Sequence, residues 1–201
     1  MLDPRRPGRP LRSQQYGPRS LIMPVFTIRN AHQNDAAGMA KVHVDTWRAA
    51  YQGIIRADFL ETLSYQSTSE RWQETFGENG TPGQAIFVAE NEGKEIVGIA
   101  MCGPLRSQDP IYQGEIYVLY VLPECQRQGV GRRLVAACVQ HLIHPLGLET
   151  MLIWVMAENP WRAFYESLGG KVVREKNVEV GGETIFDVGY GWEDIYRLAM
   201  D

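Results

Sequence analysis

The sequence predicts an α/β (α+β) fold, with a mixed, mostly antiparallel sheet of about six to seven strands, helices flanking it and one parallel β-α-β crossover. Three observations predict it. Seven short segments are apolar or alternating and are bounded by turn residues. The run "GEIYVLYVL" is followed by a helical pattern and then by the wholly apolar "TMLIWVM", a strand–helix–strand unit whose connection is right-handed. The 201 residues are 44% hydrophobic and 22% charged, which suits one domain with a substantial core.

The elements follow in order. Residues 1–23 hold five arginines and four prolines with no helical or strand period, and are expected to be a disordered tail. They lack the continuous apolar core of a signal peptide, and Met23 is a second candidate start. Residues 24–201 are expected to form a single domain. "FTIRNA" (26–31) alternates as a first strand. Asn34 or Asp35 is placed to cap a helix running to about Tyr51, with Ala37, Ala40, Val44 and Trp47 on one stripe. A second helical region spans 51–78 and is expected to break near Ser64–Ser69. "NGTPG" (79–83) is a turn, and "AIFVAEN" and "EIVGIAMCGP" pair across "EGK".

"GEIYVLYVL" (114–122) is a longer strand. The next helix carries Val130, Leu134, Cys138 and Leu142 on one face and ends at "HPLG". After "TMLIWVM" comes a short helix with Asn159 at its expected N-cap, Pro160 at its first position and Gly169 past its end. "KVVREKNVEV" and "ETIFDVGYGW" close the chain as a hairpin across Gly181–Gly182.

Composition excludes several classes. The net charge is −4; the first 23 residues balance at +4, leaving −8 on the rest, so general nucleic-acid affinity is not expected. No apolar run approaches the ~20 residues of a membrane helix. The three cysteines (102, 125, 138) form no CxxC or Cys/His cluster, which points to reduced thiols, a cytoplasmic location and no metal site. His141 and His144 are spaced i,i+3 without further ligands and suit the negative end of a helix.

The chemistry concentrates in "QRQGVGRRL" (126–134). Gly129 and Gly131 stand where a buried strand turns into a helix. Unsatisfied N–H groups and the dipole's positive end favour an anion there, and glycine lets it approach. A tight turn that binds nothing fits the two glycines equally well. A P-loop frame is absent, since Arg132 and Arg133 follow Gly131. A dinucleotide fingerprint needs glycine where Leu134 stands, although Glu149 lies near the distance of a ribose-binding acid.

The run Gln126-Arg127-Gln128-Gly129-Val130-Gly131 resembles the (Arg/Gln)-x-x-Gly-x-(Gly/Ala) signature of the GNAT N-acetyltransferase superfamily. The stretch with Asn159, Ala163, Phe164, Tyr165 and Gly169 is similar to that family's later Asn/Tyr helix, with a one-residue slip at Ala163 and Gly170 replacing the usual aromatic. The resemblance spans about residues 25–195. It implies a GNAT-like fold and an acetyl-CoA-dependent transfer to a primary amine by direct attack in a ternary complex, with no metal. A non-catalytic acyl-CoA sensor of the same fold is the alternative.

The resemblance also distributes roles. Backbone amides from Gln126 to Arg132 hold the pyrophosphate, with Arg127, Arg132 or Arg133 beside phosphate oxygens. A backbone N–H near Tyr120–Val121 polarises the thioester carbonyl. Asn159 touches the pantetheine arm, although capping alone also accounts for it. Tyr165 protonates the departing thiolate: a phenol of pKa ~10 against a thiol of ~8.5 is mildly uphill, and becomes feasible in a poorly solvated cleft. Tyr165 also fits an apolar stripe with Trp161, Phe164 and Leu168. For the base, Glu115 is the first candidate and an ordinary strand-end charge its competing reading; His43 and Asp45 are others. Trp47 and Tyr51, spaced i,i+4, wall an acceptor pocket or pack in the core. The acceptor is a small-molecule amine or a protein or peptide amine, and the family implies a homodimer.

Overall fold

The structure is a computed structural model that describes residues 25–77 and 81–200. The expected arginine-rich tail and the first two residues of the 79–83 turn lie outside them. Seven strands form one sheet: β1 (Thr27–Asn30), β2 (Ala85–Glu90), β3 (Ile96–Pro104), β4 (Gly114–Val121), β5 (Met151–Met156), β6 (Lys171–Val180) and β7 (Glu183–Trp192). Their order is β1-β2-β3-β4-β5-β7-β6, and only β4 and β5 are parallel. The helices are α1 (Ala36–Ala50), α2 (Ala57–Thr62), α3 (Tyr65–Thr75), α4 (Val130–Ile143) and α5 (Arg162–Ser167).

One register detail opens the molecule. β4 pairs with β5 only from Gly114 to Ile116, against Met151 to Ile153. β4 nevertheless continues along β3 to Val121, and β5 along β7 to Met156. The two halves of the sheet therefore share three residues and then part. A bulge accompanies the parting: Met101 faces Val118 and Cys102 faces Ile116, so Tyr117 is the extra residue. Its hydroxyl donates to the Pro104 carbonyl, and a Cβ on Gly103 would fall 2.6 Å from that oxygen.

Two apolar clusters hold the parts. The main one joins both halves of the sheet to α1 and α4 through residues such as Met39, Ile99, Leu134, Met151 and Tyr190. α4 lies so close to β3 that a Cβ on Gly98 would meet Leu134 at 3.0 Å. A smaller cluster of Ala50, Tyr51, Ile55, Leu60 and Met156, joined by Val180 and Ile185, binds the α1–α2 link to the end of β5 and the β6–β7 hairpin.

Three boundaries differ from expectation. The 51–78 region breaks at Leu63–Ser64, the front edge of the expected interval, because the Ser64 hydroxyl accepts the Ser67 N–H (3.4 Å) and starts α3. A 3₁₀ turn at Gln33–Asp35 precedes α1, and the Asp35 carboxylate accepts the His32 N–H (2.9 Å) while pairing with Arg29. α5 begins at Arg162 rather than Pro160. The Asn159 side chain still caps, accepting the Trp161 N–H at 2.8 Å, but it closes the turn before the helix.

Candidate active site

Where β4 and β5 part, a cavity of about 360 Å³ opens. Its walls come from β4 (Ile116 to Val121), β5 (Ile153 to Val155), the end of α1 (Thr46, Ala50, Tyr51), the loop before α4, and α5 with the turn that precedes it.

The loop is set by backbone conformation. After Val121 a 3₁₀ turn at Pro123–Cys125 leads to Arg127 and Gly129, both left-handed (φ 59° and 81°), and α4 starts at Val130. The Gln126 amide donates to the Val121 carbonyl (3.0 Å) and Gln128 to that of Glu124 (2.8 Å). Both side chains thus brace the loop. The first helical hydrogen bond is Arg133 N–H to the Gly129 carbonyl, so Gly129, Val130 and Gly131 N–H groups have no partner among the described residues. Gly131 is closely packed: a Cβ there would lie 3.3 Å from the Phe164 ring, which would have to give slightly.

Most of the predicted residues meet here. Tyr120, Val121, Gln126, Arg127, Gly129, Gly131, Arg132, Asn159 and Tyr165 line the cavity. Val130 turns its side chain into the core against Gly98, leaving its N–H to the loop. Gln128 and Arg133 do not line it; Arg133 donates instead to the Phe26 carbonyl (2.8 Å). Nor does Glu115 reach it. Only 3% exposed, its carboxylate accepts from the Arg106 backbone N–H and Nε (3.2 Å each) and from Nη2.

Tyr165 is buried, edge-on to Phe164 and stacked on Tyr190 with ring centroids 5.5 Å apart. Its hydroxyl makes no hydrogen bond among the described residues. Burial, then the neighbouring Tyr51, Tyr120 and Tyr190, push its pKa well up. Tyr120 is pushed up too, chiefly by burial, while its hydroxyl accepts from Trp47 Nε1 (2.8 Å). Asn159 Nδ2 donates to the Tyr51 hydroxyl (3.2 Å), linking the turn before α5 to α1. His43 packs among Trp47, Trp72 and Tyr120 with Nδ1 buried and unpartnered, and burial lowers its pKa to about 4. Asp45 is held by Lys41 and Tyr65.

Sequence reasoning missed Thr46, Trp154 and Trp161 on the wall. Trp154 sits inside an apolar strand and Thr46 inside a helical stripe, and neither pattern marks a cavity. No Asp, Glu or His is among the lining residues. Among the described residues no group of three His, Cys, Asp or Glu is placed to hold a metal ion, and no helix is long and apolar enough to cross a membrane.

The sequence and the fold have known counterparts. Residues 47–169 match the family described as acetyltransferase (GNAT) family. The chain is 38% identical over 174 residues to the uncharacterized N-acetyltransferase YuaI of Bacillus subtilis, covering 87% of this chain and 96% of that one. PaiA N-acetyltransferase of Thermoplasma acidophilum, solved in complex with coenzyme A, superposes with a TM-score of 0.63 at 17% identity, over 81% of this chain and 98% of that one. YncA of Salmonella typhimurium, solved with acetyl-CoA, superposes with a TM-score of 0.60 at 22% identity, over 83% and 92%.

Proposed function

The chain belongs to the acetyltransferase (GNAT) family, and from that premise we propose that it transfers the acetyl group of acetyl-CoA to a primary amine by direct attack in a ternary complex. One observation carries the reading: the N–H groups at Gly129–Gly131 and the hydroxyl of the buried Tyr165, none of which has a hydrogen-bond partner among the described residues, belong to the same cavity between β4 and β5.

The residues present fit acetyl-CoA. The left-handed loop aims amides and the α4 dipole at the cavity mouth, where Arg127 and Arg132 also stand, as a pyrophosphate requires. Asn159 Oδ1 accepts the Trp161 N–H and one N–H of its amide goes to the Tyr51 hydroxyl, which leaves its second N–H as a donor for the pantetheine arm. Beyond Ile116, β4 has no partner strand on the β5 side; the Leu122 N–H is taken by the Val97 carbonyl of β3, so the Val121 N–H, one residue earlier, faces the opening and is offered to the thioester oxygen.

The amine nitrogen attacks the thioester carbon, the carbon–nitrogen bond forms and the carbon–sulfur bond breaks. The thiolate takes the Tyr165 proton. Its raised pKa makes Tyr165 a weak acid, but the same burial raises the basicity of the sulfur beside it. The nitrogen releases its proton to water through the open cleft, since no lining side chain is an ordinary base, and the Tyr165 phenolate regains a proton from the same water. We assign Glu115 to holding the Arg106 loop.

The test combines melting and kinetics. Acetyl-CoA and coenzyme A should raise the melting temperature, a ligand at ~100 times its Kd adding about 2.7 kcal/mol, while ATP and NAD should not. Tyr165→Phe should keep that shift and lose about 100-fold in kcat. No shift with coenzyme A, or a shift with NAD, overturns the reading.

A further inference from the structure

α5 is too short to hold its own shape. Its 6 residues make less than two turns, and a helix of that length does not persist without tertiary contacts. Yet it carries Tyr165, whose hydroxyl must meet one sulfur atom and has no hydrogen bond among the described residues to aim it. Phe164, edge-on to the Tyr165 ring, belongs to the same helix and cannot set its direction. Tyr190 of β7 can. Fully buried, it stacks on Tyr165 with an interplanar angle of 28° and ring centroids 5.5 Å apart.

Tyr190 is itself held at its hydroxyl. The oxygen accepts from Arg162 Nε at 3.0 Å, and the hydroxyl donates to Glu166 Oε1 at 2.8 Å. Arg162 and Glu166 stand i,i+4 on α5, with Tyr165 between them in sequence. One phenol of the sheet therefore bridges a full turn of the helix, and both of its bonds are to charged groups. Arg162 Nη1 also donates to the Ala157 carbonyl at 2.8 Å, which ties the same turn to the end of β5. Two residues along β7, Trp192 Nε1 donates to the Leu168 carbonyl at 2.9 Å and fixes the other end of α5. Tyr190 does not line the cavity, so it acts on the reaction only through its neighbours.

We propose that Tyr190 is a positioning residue for acetyl transfer, its hydroxyl clamping Arg162 and Glu166 so that the Tyr165 hydroxyl meets the leaving sulfur. A small displacement of a proton donor costs a large factor in rate, which is what such a clamp prevents. Burial alone does not call for these bonds. Glu166 is exposed and Arg162 half-buried, so water would satisfy both if the phenol oxygen were absent. This inference rests on the reading of Tyr165 as the acid.

Two readouts test it. Turnover is followed as thiol release from acetyl-CoA with benzylamine as the acceptor. The flip rate of the Tyr165 ring is followed by NMR of the coenzyme A complex with labelled tyrosine, the signal being assigned by its loss in Tyr165→Phe. Tyr190→Phe keeps the stacked ring. It should speed the flips and lower kcat about tenfold, the scale of a hydrogen bond to a charged group, with KM for acetyl-CoA unchanged. Glu166→Ala should move both readouts the same way, and Glu166→Gln, which keeps an acceptor oxygen, should restore them. Added to Tyr165→Phe, Tyr190→Phe should cost nothing more. The clamp is overturned if Tyr190→Phe leaves kcat and the flip rate unchanged, or if KM rises instead of kcat falling. It is overturned as well if the loss is as large in the absence of the Tyr165 hydroxyl, or if Glu166→Gln behaves as Glu166→Ala does. Full turnover in Tyr165→Phe alone is a separate result: it removes the acid from the proposed function, and the clamp's role in transfer falls with it.

Discussion

His43 and Tyr165 show how one environment gives polar side chains different work. Both are packed by aromatic rings, and burial shifts both away from their charged forms. Tyr165 faces the cavity; His43 faces Trp47, Trp72 and Tyr120 and does not line it. With its pKa near 4, His43 is neutral and unpartnered at Nδ1, which makes it a liability in acid. The unfolded chain holds a proton at its ordinary 6.5, so between pH 6.5 and about 4 it binds more protons than the native state. Stability is therefore full above 6.5 and falls with pH below it, by at most about 1.4 kcal/mol per unit. His43→Phe keeps an aromatic ring and should flatten the stretch from pH 6.5 to 4.5, as followed by urea unfolding. Carboxylates in ion pairs, such as Asp35 and Glu90, are lowered and lose their contribution below that interval. Asp187, raised by burial, acts in the opposite sense in both proteins, so the contrast between them isolates His43. An unchanged slope in the variant would sink the assignment.

At the scale of elements, the loop before α4 carries most of what the sequence says about chemistry. The two glycines are legible because their need is a backbone need: Gly129 requires a left-handed φ and Gly131 lies against Phe164. Arg127 also takes a left-handed φ, and nothing in its type announces it. An arginine there costs about 1 kcal/mol of strain, which suits a residue kept for its charge. Arg127→Gly should therefore stabilise the free protein by about 0.5 kcal/mol after the entropy of glycine is counted, seen as a higher melting temperature. The same variant should bind acetyl-CoA about tenfold more weakly, a charged hydrogen bond being lost. Opposite signs in one variant are the signature; a fall in both would mean that Arg127 packs rather than binds. Glu115 marks the limit of local reading. Its place at a strand start was legible, but its carboxylate belongs to Arg106, nine residues earlier across the β3–β4 connection, and no spacing rule reports that pairing.

Over the whole molecule, the seven strands and the single parallel pair could be read from hydrophobic period and turn residues, because each depends on neighbours in sequence. The opening between β4 and β5 could not. "IYVLYVL" and "LIWVM" look equally fit to pair throughout, and only the tertiary course of the two half-sheets stops them at Ile116 and Ile153. The cost is that, between Tyr117 and Val121, the alternate backbone groups not paired with β3 face the cavity instead of a strand. They are tolerable if a ligand's amides and carbonyl complete them, and this makes ligand binding measurable far from any side chain. In hydrogen exchange, the amides of 117–121 that pair with β3 should be protected in the free protein, and those on the β5 side should exchange quickly. Coenzyme A should slow the second set while leaving β6 and β7, which pair along their whole length, as they were. Slowing across the entire sheet would instead indicate general tightening, and protection of both sets without ligand would mean that the two half-sheets close on each other.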